Sequence, residues 1–237
     1  MNLNHFDTVQ TMPAGDTHVW MHVMAYGTGP LSAGSLMQRI LCSGLYATAS
    51  SIMVTIIGPE RSLLKAWLGN YEKVQFIYES DCLDDYEWPA LLGMSRHAHL
   101  CHESKFCYVH TKGASNDWRS DVDPRIRRNV AKWRDGLMDA VIGDWRYCSA
   151  LLEGNDTVGP YAFPGTAPMG ACYSGNFWWA TGKHIASLYT DPAWLQNRNM
   201  AEGWVRQSGE RHYCVRALPQ QDLYDFDNAC GEKGPLG

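Results

Sequence analysis

The most constraining stretch of this sequence is Ile52-Met53-Val54-Thr55-Ile56-Ile57, an apolar, largely β-branched run that stops at Gly58-Pro59. A run without alternation is one whose two faces are both buried, as in a parallel sheet covered by helices on each side. The residues before it agree. His18 to Tyr26 contains the strand-like VWMHVMAY, a polar Gly-rich loop follows, and Leu36, Met37, Ile40, Leu41 and Leu45 then recur at helical spacing. Together these make one β-α-β unit.

The pattern continues. RSLLKAWL predicts a second short helix, VQFIY a third strand, Trp88 to His99 a third helix, and Phe106 to Val109 a fourth strand. Strands alternating with helices imply an α/β fold with a mainly parallel sheet flanked by helices. Beyond Val109, Ile126, Val130, Trp133, Leu137 and Val141 form a helical stripe, and Asp123-Pro124 is a helix start with an acidic N-cap and Pro at the first position. A Pro/Gly-rich segment and the aromatic NFWWA follow; the tail from about Leu218 to Gly237 has no periodicity. With no repeat and no dividing linker, the 237 residues are expected to form a single domain.

Composition narrows the function classes. The chain is 45% hydrophobic and 19% charged, enough apolar matter for a large core and too much for disorder. Net charge is −5 with no dense basic run, so a nucleic-acid partner held through phosphates is not expected. The polar N-terminus lacks a signal-like apolar region, and no stretch approaches the ~20 apolar residues of a membrane span. A cytoplasmic protein is expected, with its 8 scattered cysteines as free thiols rather than a disulfide framework.

Open α/β sheets bind ligands beyond the carboxyl ends of their strands, which draws attention to the residues after Val23, Ile57, Tyr78 and Val109. The last of these carries His110-Thr111-Lys112-Gly113. An ammonium, a hydroxyl, an imidazole and a flexible glycine at one strand end suit a diphosphate; a solvated loop with a snorkelling lysine is the plainer alternative. Three other patterns are weaker. Gly27-Thr28-Gly29-Pro30-Leu31-Ser32 only approaches a dinucleotide fingerprint, Asp121 and Asp123 form an acidic pair of which one is already a helix cap, and His97, His99, Cys101, His102 and Cys107 crowd together without a zinc-site spacing.

HTKG (110–113), the Trp-Arg pairs after it, DTVG (156–159), SGNFWWA (174–180) and AEGW (201–204), with SGLYATAS (43–50) and EWPAL (87–91) upstream, occur in an order that resembles a group of bacterial and large-virus glycosyltransferases of the GT-A fold. These are the rhamnan-synthesis and viral capsid-glycosylation type. The resemblance covers roughly 18–216 and SGNFWWA is its most specific element. It implies a Rossmann-like nucleotide-diphospho-sugar transferase, with a nucleotide-binding half at about 18–113, an acceptor-binding half at 114–217 and a tail at 218–237. Its donor would be a UDP-, GDP- or dTDP-sugar and its acceptor a glycan or other hydroxyl. His110-Thr111-Lys112 stands where the wider fold carries a metal-binding Asp-x-Asp, which leaves dependence on Mn or Mg open and offers Lys112 as a replacement for the ion.

Carried onto this chain, the resemblance makes Glu202 the base that deprotonates the acceptor. Tyr26, His110, Thr111, Lys112, Gly113 and His212 become donor-binding residues, and Ser174, Gly175, Asn176, Trp178 and Trp179 become sugar- or acceptor-binding residues. Adjacent tryptophans in a strand face opposite ways, so one of Trp178 and Trp179 is expected to reach the ligand and the other the core. For Glu202 a surface carboxylate is the plain alternative. At the level of the whole protein the alternatives are a non-catalytic carbohydrate- or nucleotide-binding module and, more distantly, a Rossmann oxidoreductase.

Overall fold

The computed structural model describes residues 16–114, 122–165, 170–209 and 211–217. Asp121, Cys230 and the 218–237 tail lie outside the described residues.

Four parallel strands build the first half: β1 (Thr17–Met24), β2 (Ser51–Ile57), β3 (Val74–Ser80) and β4 (Lys105–His110). They alternate with α1 (Gly29–Cys42), the single turn α2 (Leu45–Thr48), α3 (Arg61–Leu68) and α4 (Trp88–Leu100), as the sequence predicts. The second half supplies α5 (Pro124–Met138), α6 (Trp145–Leu151), β5 (Thr157–Gly159), the ribbon β6 (Ala162–Phe163) and β7 (Cys172–Tyr173), β8 (Trp178–Thr181), α7 (Gly182–Ser187), α8 (Arg198–Gly203) and β9 (His212–Cys214). The main sheet runs β3-β2-β1-β4-β8-β5-β9, with β8 antiparallel to both β4 and β5. Both halves of the chain therefore share one mostly parallel mixed sheet.

β1 shows why the strands read as continuous apolar runs. Val19, Met21 and Val23 pack with Leu36, Met37 and Ile40 of α1 and Trp133 and Leu137 of α5. Trp20, on the other face, packs with Trp88, Leu91 and Met94 of α4 and with Trp178 and Trp204. Each face of the sheet thus has its own helical layer, and apolar residues are required on both.

Helix α5 begins as expected: Asp123 Oδ1 accepts from the Arg125 backbone N–H at 2.8 Å, and Pro124 occupies the first turn. The apolar stripe does not stay in one regular helix, however. After Met138 the chain widens into a π turn over Asp139–Gly143, where the Asp144 N–H donates to the Asp139 carbonyl at 2.9 Å. The Val141 carbonyl accepts the indole N–H of Trp179 at 2.8 Å instead of serving only the helix.

Candidate functional site

The strand order reverses between β1 and β4: the chain winds outward from β1 to β3, then returns through α4 to β4 on the other side of β1. Such a switch point leaves a crevice at the carboxyl ends of the strands. A cavity of about 200 Å3 lies there, lined by His22 and Met24 of β1, Tyr26, Ile57 of β2, residues 83, 84, 86 and 87, His110 to Gly113, and Arg198 of α8. Among the expected donor-binding residues, Tyr26, His110, Thr111, Lys112 and Gly113 converge on it.

The turn after β4 is tightly held. Thr111 donates its N–H to the His22 carbonyl at 3.1 Å and accepts the Met24 N–H on Oγ1 at 2.9 Å, which ties the turn to the end of β1. Arg134 of α5 reaches both the Lys112 carbonyl at 3.2 Å and the Ser32 hydroxyl at 2.8 Å. Gly113 has φ +79°, and a Cβ there would lie 2.2 Å from Val130 Cγ1. A side chain at this position is excluded twice, by backbone conformation and by helix α5.

Lys112 is buried, its Nζ 4.5 Å from the centre of the Trp133 ring and 3.8 Å from Glu202 Oε1. The fold thus brings the expected cation and the expected base together from residues ninety positions apart in sequence. Glu202 stands beside Lys112 rather than on the cavity wall.

His110 donates from Nε2 to the Gly175 carbonyl at 2.8 Å, since a carbonyl can only accept, and this leaves Nδ1 with its lone pair. Burial, reinforced by the Lys112 charge, pushes the pKa of His110 down to about 3, so the ring is neutral at physiological pH. Burial likewise pushes His22 down to about 4, with its Nδ1 against the Thr55 hydroxyl at 2.9 Å.

The residue the sequence did not single out is Glu87. It is buried, lines the cavity, and presents Oε1 3.6 Å from His110 Nδ1. Its Oε2 accepts from the Tyr108 hydroxyl at 2.9 Å and from the Asn176 amide. Tyr86 just before it has φ 50°, an unfavourable conformation for a bulky side chain and one that clusters at functional sites. The signal was available in outline: Asp81 to Glu87 is an acid-rich run beyond the third strand, at a carboxyl end where ligands bind.

Five expectations are corrected. Trp178 and Trp179 do point to opposite faces, but both are fully buried, because helices cover both sides of β8. Neither can offer an indole face to a sugar. Asn176 is also fully buried and is spent on neighbours: its amide donates to Glu87 while its Oδ1 accepts the Trp178 indole N–H at 2.8 Å. It positions Glu87 instead of contacting sugar hydroxyls. Gly175 contributes a carbonyl to His110 but is enclosed: a Cβ there would lie 2.6 Å from Leu137. Ser174, half-buried, bonds through its N–H to the Tyr161 carbonyl and does not line the cavity.

His212 is the fifth. It pairs in register with Thr157, which pairs with Ala180 and so with Phe106, near the amino end of β4. That is about 13 Å down the strand from His110 and three strands across. Its imidazole contacts the Thr157 hydroxyl at 2.7 Å and the Gly209 carbonyl at 3.2 Å. It has no part in the cavity.

Comparison with protein-family models and with curated proteins finds no match to this chain. No described helix is long and apolar enough to cross a membrane.

Proposed function

We propose that this chain is a nucleotide-sugar-dependent glycosyltransferase acting by single displacement. The observation that carries the proposal is the meeting of Lys112 Nζ and the Glu202 carboxylate, 3.8 Å apart, beside a cavity at the switch point of a mostly parallel sheet. The sheet is compatible with a Rossmann-like fold, and the GT-A form of it is part of the proposal.

In this reading the leaving diphosphate lies against the His110–Gly113 turn, where Lys112 and the cavity-lining Arg198 take up its charge. Neutral His110 and Glu87 orient sugar hydroxyls through Nδ1 and Oε1. Glu202 accepts the proton of the acceptor hydroxyl as its oxygen bonds to the anomeric carbon and the bond from that carbon to the diphosphate breaks. The Lys112–Glu202 contact is what the incoming ligands displace. A cavity of about 200 Å3 takes a sugar ring or a diphosphate, so the nucleoside extends over the open rim. Mn or Mg, where used, would draw on the cavity-lining carboxylates of Asp84 and Glu87.

The absence of an exposed aromatic platform at Trp178 and Trp179 favours one second reading, a binding module that holds a nucleotide or sugar without turnover. Thermal unfolding with UDP, GDP, dTDP and NADH, followed by release of nucleoside diphosphate from nucleotide sugars, separates the two. A nucleoside diphosphate at 100 times its Kd should add about 2.7 kcal/mol of stability. Lys112→Ala should remove most of that effect and lower turnover by ~10²–10³. Stabilisation by NADH alone overturns both readings; nucleotide stabilisation without turnover on any donor leaves the binding module.

A further inference from the structure

At the opposite end of the sheet from the cavity, His18 of β1, His97 in the last turn of α4 and Cys101 just past it bring their ligand atoms within 4.8 Å of one another. Both imidazoles are fully buried and the thiol is half-buried and unbridged. We propose that these three residues form a zinc site, separate from the transferase site and independent of that reading.

Chemistry and geometry both support zinc. Two imidazoles and one thiolate are a borderline-soft donor set that suits this ion. Tetrahedral zinc with Zn–N near 2.0–2.1 Å and Zn–S near 2.3 Å needs ligand atoms about 3.4–3.6 Å apart, so a closure of about 1 Å from the observed limit completes the site. His97 and Cys101 are four residues apart and stacked by helical geometry, with the Cys101 N–H still donating to the His97 carbonyl at 3.1 Å. His18 is delivered by the neighbouring strand, its ring centre 4.3 Å from that of His97.

Ser51 supplies the outer layer. Its Oγ lies 2.9 Å from His18 Nδ1, and when the hydroxyl accepts a hydrogen bond from Nδ1–H, Nε2 is left as the ligating atom. The half-buried thiol places the fourth coordination position toward solvent, where water completes the tetrahedron. Binding displaces the Cys101 thiol proton to solvent, so affinity should rise with pH. The cluster differs from what the local sequence offers: Cys107 faces the other side of the sheet, and His99 and His102 are exposed. Only the fold brings His18 into reach. The ion would staple the start of β1 to the end of α4, the corner from which the chain turns into β4.

The test uses the full chain stripped of metal, titrated with Co²⁺ as a spectroscopic stand-in and then with Zn²⁺. One cobalt per chain should bind with the strong visible absorption of a tetrahedral site and a thiolate charge-transfer band, both lost on adding zinc. Cys101→Ser should abolish the thiolate band and weaken zinc binding at least ~100-fold, while Ser51→Ala weakens it by about 10–100-fold and keeps the band. His102→Ala should change neither. Each variant's far-UV circular dichroism without metal serves as the folding control, and the wild-type cobalt spectrum needs no variant. Absence of stoichiometric cobalt binding, a spectrum without thiolate character, or zinc affinity unchanged in folded Cys101→Ser would overturn the proposal.

Discussion

Gly113→Ala tests how the turn that carries Lys112 is built. The substitution forces an L-residue to φ +79°, which costs roughly 1–2 kcal/mol. It also sets a methyl 2.2 Å from Val130 Cγ1, where contact normally begins near 3.5–4.0 Å. Relieving that overlap requires either the turn or α5 to shift by more than an ångström, at a typical overpacking cost of about 1–3 kcal/mol. The sum is about 2–5 kcal/mol, and a central loss of about 3 kcal/mol lowers Tm by roughly 6–12 °C for a domain of this size. The assay is denaturant unfolding of a double-mutant cycle. In a Val130→Ala background the overlap is gone, so Gly113→Ala should cost only the roughly 1–2 kcal/mol of the backbone, giving a coupling of about 1–3 kcal/mol. An equal penalty in both backgrounds, or a penalty below about 1 kcal/mol in the wild type, would refute the packing argument.

Two further predictions concern the interior. Trp178→Ala and Trp179→Ala should each cost about 3–5 kcal/mol in thermal or denaturant unfolding, because both indoles are fully buried; a near-neutral Trp178→Ala or Trp179→Ala would return that residue to the ligand surface. His22 and His110 are held neutral, with folded pKa values near 4 and 3 against 6.5 unfolded. The unfolded chain therefore binds protons first as pH falls. Stability is complete above pH 6.5 and declines below it at up to about 1.4 kcal/mol per pH unit for each histidine, until the folded pKa values are reached. Unfolding at pH 7, 6 and 5 checks this, and a His22→Gln variant should show a shallower decline.

What the sequence revealed and what it concealed divide along physical lines. The IMVTII run, the RSLLKAWL helix and the Asp123-Pro124 cap are local: period, burial on two faces and capping chemistry act within a few residues, and each element appears where its pattern places it. The His110–Gly113 turn was also legible, because a strand's carboxyl end is a known ligand position. Glu87 was not. Its role depends on Tyr108 from β4 and Asn176 from before β8, partners that only tertiary structure assembles. The tryptophan pair failed for the converse reason. Alternation fixed which way each ring points, but whether a second helical layer covers that side is a property of α4, α5 and the Asp139–Gly143 turn, not of NFWWA. His212 was misplaced because its motif carries no information on which strand it joins.

The most direct test of the transferase account is the rate of sugar transfer or hydrolysis by Glu202→Gln, measured under single-turnover conditions beside Glu87→Gln and with nucleoside diphosphate affinity determined in parallel. The account predicts that Glu202→Gln lowers the chemical rate by at least ~10² without weakening diphosphate binding, since it removes the carboxylate that Lys112 otherwise contacts, and lowers Tm by the loss of that partly buried pair. Transfer at the wild-type rate by Glu202→Gln, with the loss found in Glu87→Gln instead, would contradict it and move the base to the cavity wall.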